Sequence, residues 1–438
     1  MPRFKGHFSY HCNLERNSLS VFMDISILII ILSCTVLLSY AFDLISTRTK
    51  LPSVVLLLAT GMIGRQVTDY FNIKIPGVDV LLPTLGTIGL ILIVLEGGLD
   101  LELSGGKHKL IGRTLLSALL GLVLSMVVIA GIFYLLLGES FYNAMVTATP
   151  FAIISSAVAI PSVSGLEKRR REYMVYESSL SDILGLMLFN ILVLPTNSGW
   201  ESAGQFLQST LLIVIISAVS CFVLLYLIAR ISHHVKYLPI ISALFLIYAV
   251  GKYYHLSSLL AILIFGLFLN NTELFVRGKL NTYFKNDLFE GELEQFKQLT
   301  AESAFVVRTF FFLIFGYSAD LSDFADLDAW IVSILILLAI LGTRFLTLKT
   351  TFRGNLSPLL YIAPRGLITV LLFLTIPEQY MVVGFRKGIL MITVILTAIT
   401  MMLAVMTYKR PLEEEDTGEE LEESSKSPEP PLPQVRRS

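Results

Sequence analysis

Apolar stretches close to the roughly 20 residues that cross a bilayer recur from Met23 almost to the end of this chain. Thirteen can be drawn. They run Met23 to Phe42, Leu51 to Tyr70, Leu81 to Leu99, Gly112 to Leu137, Ala144 to Leu166, Tyr173 to Leu194 and Ser209 to Ile231. The rest are Leu238 to Tyr254, Ser257 to Asn270, Ala301 to Ser318, Trp330 to Lys349, Leu356 to Ile376 and Ile389 to Tyr408. A chain of this kind satisfies its backbone polar groups inside lipid as helices, so the fold class is all-α and polytopic, with about 13 transmembrane helices. Composition agrees: 54% of residues are hydrophobic and 15% charged, outside the range of ordinary soluble domains.

Lysines and arginines set the orientation, because they concentrate in loops on the cytoplasmic side. Alternate loops divide them nineteen to five, the richer set including Lys107, Lys109, Arg113, the run Lys168 to Arg171, Lys297, Lys349 and Arg353. The poorer set holds Arg65, Lys74, Lys252, Arg386 and Lys387 beside the acidic stretch Asp320, Asp323, Asp326 and Asp328. This places the N-terminus outside and the C-terminus in the cytoplasm of a multi-pass protein of the cell membrane, read as a bacterial plasma membrane. Residues 1–22 break the pattern with Arg3, Lys5 and Arg16 and are read as an N-terminal extension, with Met23 as the translated start. Residues 23–410 form the membrane domain. Residues 411–438 hold nine of the 34 acidic residues and many Ser and Pro, the composition of a disordered acidic tail. Cys12, Cys34 and Cys221 have no disulfide or metal-binding spacing.

An ionisable group deep in a membrane helix costs about 2.5 to 3.5 kcal/mol on insertion scales, which makes it a functional candidate. Asp182 lies nine residues into the sixth stretch, about 13 Å into a core about 30 Å thick. Ser178 precedes it by one helical turn on the same face, so a hydroxyl and a carboxylate form part of an oxygen cage suited to an alkali cation. The competing reading of Ser178 is a hydroxyl bonded to the preceding turn's carbonyl. A carboxylate at Asp182 serving only to pair within the bundle is the bland alternative there.

The fifth stretch carries Pro150 and Pro161 around Ser155-Ser156, and the twelfth carries Ala363-Pro364-Arg365-Gly366. Both interruptions fall near mid-depth, where broken helices expose backbone groups to an ion. Their separation by seven stretches suggests two inverted repeats, stretches one to six and eight to thirteen, with crossed broken helices. Arg365 needs an acceptor at that depth, and the carbonyl end of a half-helix suits it. Arg344 and Glu177 lie about 9 and 6 Å from the same membrane face. Snorkelling of Arg344 to the interface is the alternative to their pairing. Glu96 and Asp100, closing the third stretch, read as a solvated helix end.

At Leu51-Pro52, Glu96-Gly97-Gly98-Leu99, the Glu177 to Asp182 block, Arg344 and Pro364-Arg365-Gly366, the chain resembles the sodium/proton exchangers of the monovalent cation:proton antiporter superfamily. The resemblance implies the thirteen-helix sodium/proton antiporter fold, usually dimeric, in which a core domain moves against an interface domain. It also implies that Asp182 binds the ion and that Arg344 pairs with a structural Glu177. Two positions depart from the family: Ser181 stands where Asn or Asp usually precedes the binding aspartate, and Ser155-Ser156-Ala157 where Thr-Asp-Pro is common.

The expected function is therefore exchange of a monovalent cation (Na+, K+ or Li+) for H+, without enzymatic chemistry, cofactor or nucleic acid. The candidate site is Asp182 with Ser178, Ser181, Ser155 and Ser156, an alkali-cation site whose carboxylate holds either a proton or a cation. One carboxylate handing over one charge for one predicts electroneutral exchange by alternating access. The alternatives are a potassium efflux channel-like transporter of the same fold and, from another class, a membrane-embedded hydrolase. Against the hydrolase, the sequence has no H-E-x-x-H, G-x-S-x-G or second mid-depth aspartate.

Overall fold

The computed structural model describes residues 29–30, 32–46, 52–71, 78–101, 108–138, 140–193, 237–253, 258–272, 287–382, 385 and 387–408. The N-terminal extension, Cys12, Cys221, the seventh stretch and the acidic tail lie outside them. Among the described residues the secondary structure is helical and contains no strand. The helices are α1 (Leu32–Ser46), α2 (Ser53–Tyr70), α3 (Val78–Asp100), α4 (His108–Leu137), α5 (Phe141–Ala152), α6 (Ser156–Ser162) and α7 (Lys168–Val193). They continue as α8 (Tyr237–Tyr253), α9 (Ser258–Asn270), α10 (Asp287–Tyr317), α11 (Leu327–Thr351), α12 (Leu367–Leu374) and α13 (Lys387–Thr407), with a single turn at Leu321–Phe324 and a 3-10 turn at Leu359–Tyr361. Twelve of the thirteen apolar stretches thus carry helix, and among the described residues seven helices, counting α5 and α6 as one, are long and apolar enough to span a membrane.

The ends differ from the sequence reading where charged residues extend a helix beyond its apolar part. α10 begins at Asp287, well before Ala301, so Lys297 sits on a helix and not in a loop. α7 begins at Lys168, which puts Asp182 near the middle of its 26 residues.

The helices form two groups. In one, α2 and α3 pack on α10, and α9 packs on α3 and α8. In the other, α4 packs on α5, α7 and α11, and α11 on α13. The groups meet where α12 lies against α3 and α9 against α7. A twofold relation between the repeats accounts for the pattern, since it exchanges the α2–α10 pair with the α9–α3 pair and the α4–α7 pair with the α11–α13 pair.

Both related pairs in the first group approach backbone to backbone through glycine. A Cβ on Gly61 would collide with the Leu313 carbonyl and one on Gly316 with the Leu58 carbonyl. On the other pair, a Cβ on Gly98 would meet Leu263 O and one on Gly266 would meet Leu95 O, each at 2.9 Å. Only a residue without Cβ permits that approach.

Candidate functional site

The crossing of the two broken stretches follows from where their unpaired backbone groups go. Pro150 has no N–H to give within α5, and the helix ends at Ala152, leaving an extended link before α6. Three successive N–H groups at this link find acceptors outside their own helix. Ile154 donates to Ser181 Oγ at 3.0 Å, Ser155 to the Pro364 carbonyl at 3.0 Å, and Ser156 to Asp182 Oδ2 at 3.1 Å. On the other side of the link, the guanidinium of Arg365 takes the carbonyls that α5 leaves open. Its Nε donates to Phe151 O and its Nη2 to Ala152 O at 3.4 Å, while Nη1 donates within its own segment to Ala363 O, 3.0 Å away. Arg365 N–H donates to Thr397 Oγ1 at 3.1 Å. Gly366 admits the crossing, because a Cβ there would meet Ser155 Oγ at 2.6 Å and Val158 at 2.7 Å.

Asp182 is buried, and its second oxygen, Oδ1, has no hydrogen-bond partner among the described residues. It borders a small cavity that offers about 20 Å³ to the centre of a water molecule, enough for about one water or one largely dehydrated ion. α7 supplies Ser179, Asp182, Ile183 and Leu186 to the wall, and α6 supplies Ser156. The opposite wall is Ile93, Val94 and Gly97 of α3, Leu263 of α9 and Ile368 of α12. The cavity therefore lies on the seam between the two helix groups.

The sequence-derived serines divide. Ser181 is used as an acceptor at the break, Ser156 borders the cavity, and Ser155 has a buried hydroxyl without a partner. Ser178 points elsewhere: its hydroxyl donates to the Met174 carbonyl at 2.8 Å, the back-bonded alternative, and it is absent from the cavity wall. Ser179, which spacing arguments passed over, takes that place at three residues before Asp182. The i−3 relation to the carboxylate was the available signal.

Arg344 and Glu177 meet, as their depths require, in the group built on α4, α5, α7, α11 and α13 with the half-helices α6 and α12, here called the core group. Nη2 lies 3.0 Å from Oε2 and Nη1 3.3 Å from Oε1, a two-pronged pair with both side chains buried. Ser117 donates to Oε1 at 2.6 Å and Arg344 Nε to Leu359 O at 2.7 Å, so α4, α7, α11 and the 3-10 turn are joined at one point. Glu96 departs from the sequence reading. It is not a solvated end but pairs with Arg308 of α10 at 3.1 Å, because α10 packs along α3 and brings its own arginine to that depth. Asp100, one turn further, is exposed as expected.

The chain shares its fold with the sodium proton antiporter MjNhaP1 from Methanocaldococcus jannaschii. One structure of that protein matches with a TM-score of 0.66 at 19% identity, covering 88% of this chain and 96% of the other. A second, from electron microscopy, matches with a TM-score of 0.61 at 18% identity, covering 88% and 94%. No curated protein matches by sequence. The family profile described as "Sodium/hydrogen exchanger, transmembrane" matches residues 31–413, nearly the whole of the helical part. The chain is a member of the transmembrane sodium/hydrogen exchanger family.

Proposed function

We propose that this protein is an electroneutral antiporter of an alkali cation and H+, with Asp182 as the carboxylate that carries one or the other. The observation that carries the reading is the pairing of Asp182: Oδ2 is held by the Ser156 N–H, while Oδ1 faces a one-ion cavity without a partner. A buried carboxylate that lacks a counter-charge within hydrogen-bond reach takes up a proton or a cation, and one site cannot hold both. Arg365 is spent on backbone carbonyls of the break, which leaves the carboxylate free to do so. Serines 155, 156 and 181 shape the break, and Glu177 with Arg344 fixes α7 within the core group. The reaction moves ions and makes no covalent bond. In keeping with the family resemblance, the protein works as a homodimer in the cell membrane with its C-terminus cytoplasmic.

The test is dequenching of a pH-sensitive dye in everted vesicles on adding NaCl, LiCl or KCl separately. Wild type should respond to at least one salt and Asp182→Asn to none, with equal amounts of protein in the membrane. Wild-type exchange by Asp182→Asn would exclude this carboxylate as the carrier.

A further inference from the structure

We infer that residues 413–423 of the acidic tail dock on the basic end of the core group, where α4 and α7 begin and α11 ends. This surface lies about 20 Å along α7 from Asp182, and the inference holds whichever ion that carboxylate carries.

Three helices bring the basic end to one level. Ser117 of α4 and Arg344 of α11 both bond the Glu177 carboxylate of α7. α4 opens at His108 and α7 at Lys168, each nine residues before that contact, while α11 runs the opposite way and ends seven residues past it at Thr351. Beyond α11, the Arg353 carbonyl accepts from Arg169 Nη2 at 3.3 Å, and the Arg169 guanidinium lies over the Phe352 ring. Lys109 and Arg113 of α4 are exposed here, as are Lys168, Arg169 and Arg171 of α7 and, at the end of α11, Lys349 and Arg353. The acids beside them among the described residues are Glu167 and Glu172, both half-buried, and Glu167 is paired with Arg170 at 3.4 Å. Like charges are thus crowded on one surface, and the amide ends of α4 and α7 add to its positive potential.

The chain carries the matching charge to the same place. Past α13, the Tyr408 hydroxyl accepts from Arg170 Nη1 at 3.1 Å, and the Tyr408 ring faces that guanidinium with its centroid 5.3 Å away. The last described residue therefore sits beside the start of α7. Residues 413–423 hold eight acids and no lysine or arginine. Extended, eleven residues span at most about 40 Å, enough to cross three neighbouring helix ends about 8–10 Å apart. Exposed ion pairs are individually weak, but a segment tethered five residues from Tyr408 meets this surface at an effective concentration on the order of millimolar, so several pairs together suffice. The other helix group repels the segment, since α3 and α10 expose Asp100 and Glu294.

The experiment joins carboxylates to lysine amines with a zero-length carbodiimide in the full-length protein and maps the joined peptides by mass spectrometry. The protein is held in nanodiscs of phosphatidylcholine with or without phosphatidylglycerol. Acids of residues 413–423 should be joined to Lys168, Lys349 or Lys109 of the same chain, as read from isotopically light and heavy protein mixed before reconstitution. In about 1 M choline chloride, where the screening length falls to about 3 Å, the joins should be lost. A second measurement follows acetylation of Lys168 and Lys349 against Lys252, an exposed lysine on α8. Changing the eight acids to Gln or Asn should speed the first two at least about threefold at low salt and leave Lys252 unchanged. Joins found only between light and heavy chains would put a second copy's tail on the surface and overturn docking within one chain. Protection that survives the tail substitutions but vanishes without phosphatidylglycerol would make anionic lipid the occupant. Equal acetylation in both proteins at low salt, in either lipid, would leave the surface uncovered, and each of these two results overturns the assignment.

Discussion

Arg344 of α11 grips Glu177 of α7 with two hydrogen bonds, five residues before Asp182, whose carboxylate borders the cavity. Stranding either charge in a buried setting costs about 3 to 5 kcal/mol. Glu177→Ala and Arg344→Ala should each lower the thermal unfolding temperature in detergent and abolish exchange. The swapped pair, Glu177→Arg with Arg344→Glu, should regain part of the stability. Single variants as stable as wild type would show that the pair does not hold the core.

Arg365 separates charge from geometry. Lysine keeps the positive charge but cannot reach three carbonyls in the directions that the planar guanidinium does. Arg365→Lys should therefore fold with reduced stability and exchange at least about tenfold more slowly, because the carbonyls of Phe151 and Ala152 lose donors. Full activity in the lysine variant, measured in proteoliposomes, would mean that charge alone suffices.

On the proposed mechanism one carboxylate exchanges one charge for one. Imposing a membrane potential of either sign on proteoliposomes should leave the rate within about 20%, whereas a second titrating group moving with the ion would make it voltage-dependent. Glu96, already paired with Arg308, would be the first group to examine.

Competition at a single site, as proposed for Asp182, would also fix a pH dependence. Where protons outcompete the cation, the half-saturating cation concentration should rise about tenfold for each unit of acidification. The maximal rate at saturating cation should change much less. A half-saturating concentration independent of pH would rule out a shared site.

The glycines of α3 make opposite predictions at adjacent positions. A Cβ on Gly97, which lines the cavity, meets nothing within 4 Å, while one on Gly98 runs into Leu263 O and Gly266 of α9. Gly97→Ala should fold normally and bind larger cations less well. Gly98→Ala should be destabilised and poorly inserted, as read by expression level and thermal unfolding. The reverse order would contradict the backbone contact between α3 and α9.

The sequence made the two interruptions legible because proline and arginine at mid-depth have few uses in lipid, and matching depths brought Glu177 to Arg344. Other features depended on which neighbour a helix face meets. Depth alone put Glu96 near a membrane surface, and only the packing of α10 along α3 supplies Arg308. Ser178 and Ser179 differ by one residue and by 100° of rotation, and the side on which the cavity falls is decided by α3 and α9, far away in the chain. The starts of α7 and α10 lay beyond the apolar stretches because Lys168 and Asp287 open helices whose charged first turns carry no hydropathy signal.

The seam beside Asp182 joins a polar wall to a greasy one. The hydrogen bonds described above for the carboxylate and the break run within the core group, from α5, α6 and α7 to the Pro364 segment. Across the cavity, among the described residues, α3 and α9 present Ile93, Val94, Gly97 and Leu263, on a pair of helices locked together at Gly98 and Gly266. A core sliding along this surface, as alternating access would require, would trade one dispersion contact for another and strand no donor or acceptor of this wall. On the proposed mechanism the cavity wall would act as a low-friction bearing, so that the charge state of Asp182, and not the making or breaking of polar contacts, would decide when the core travels.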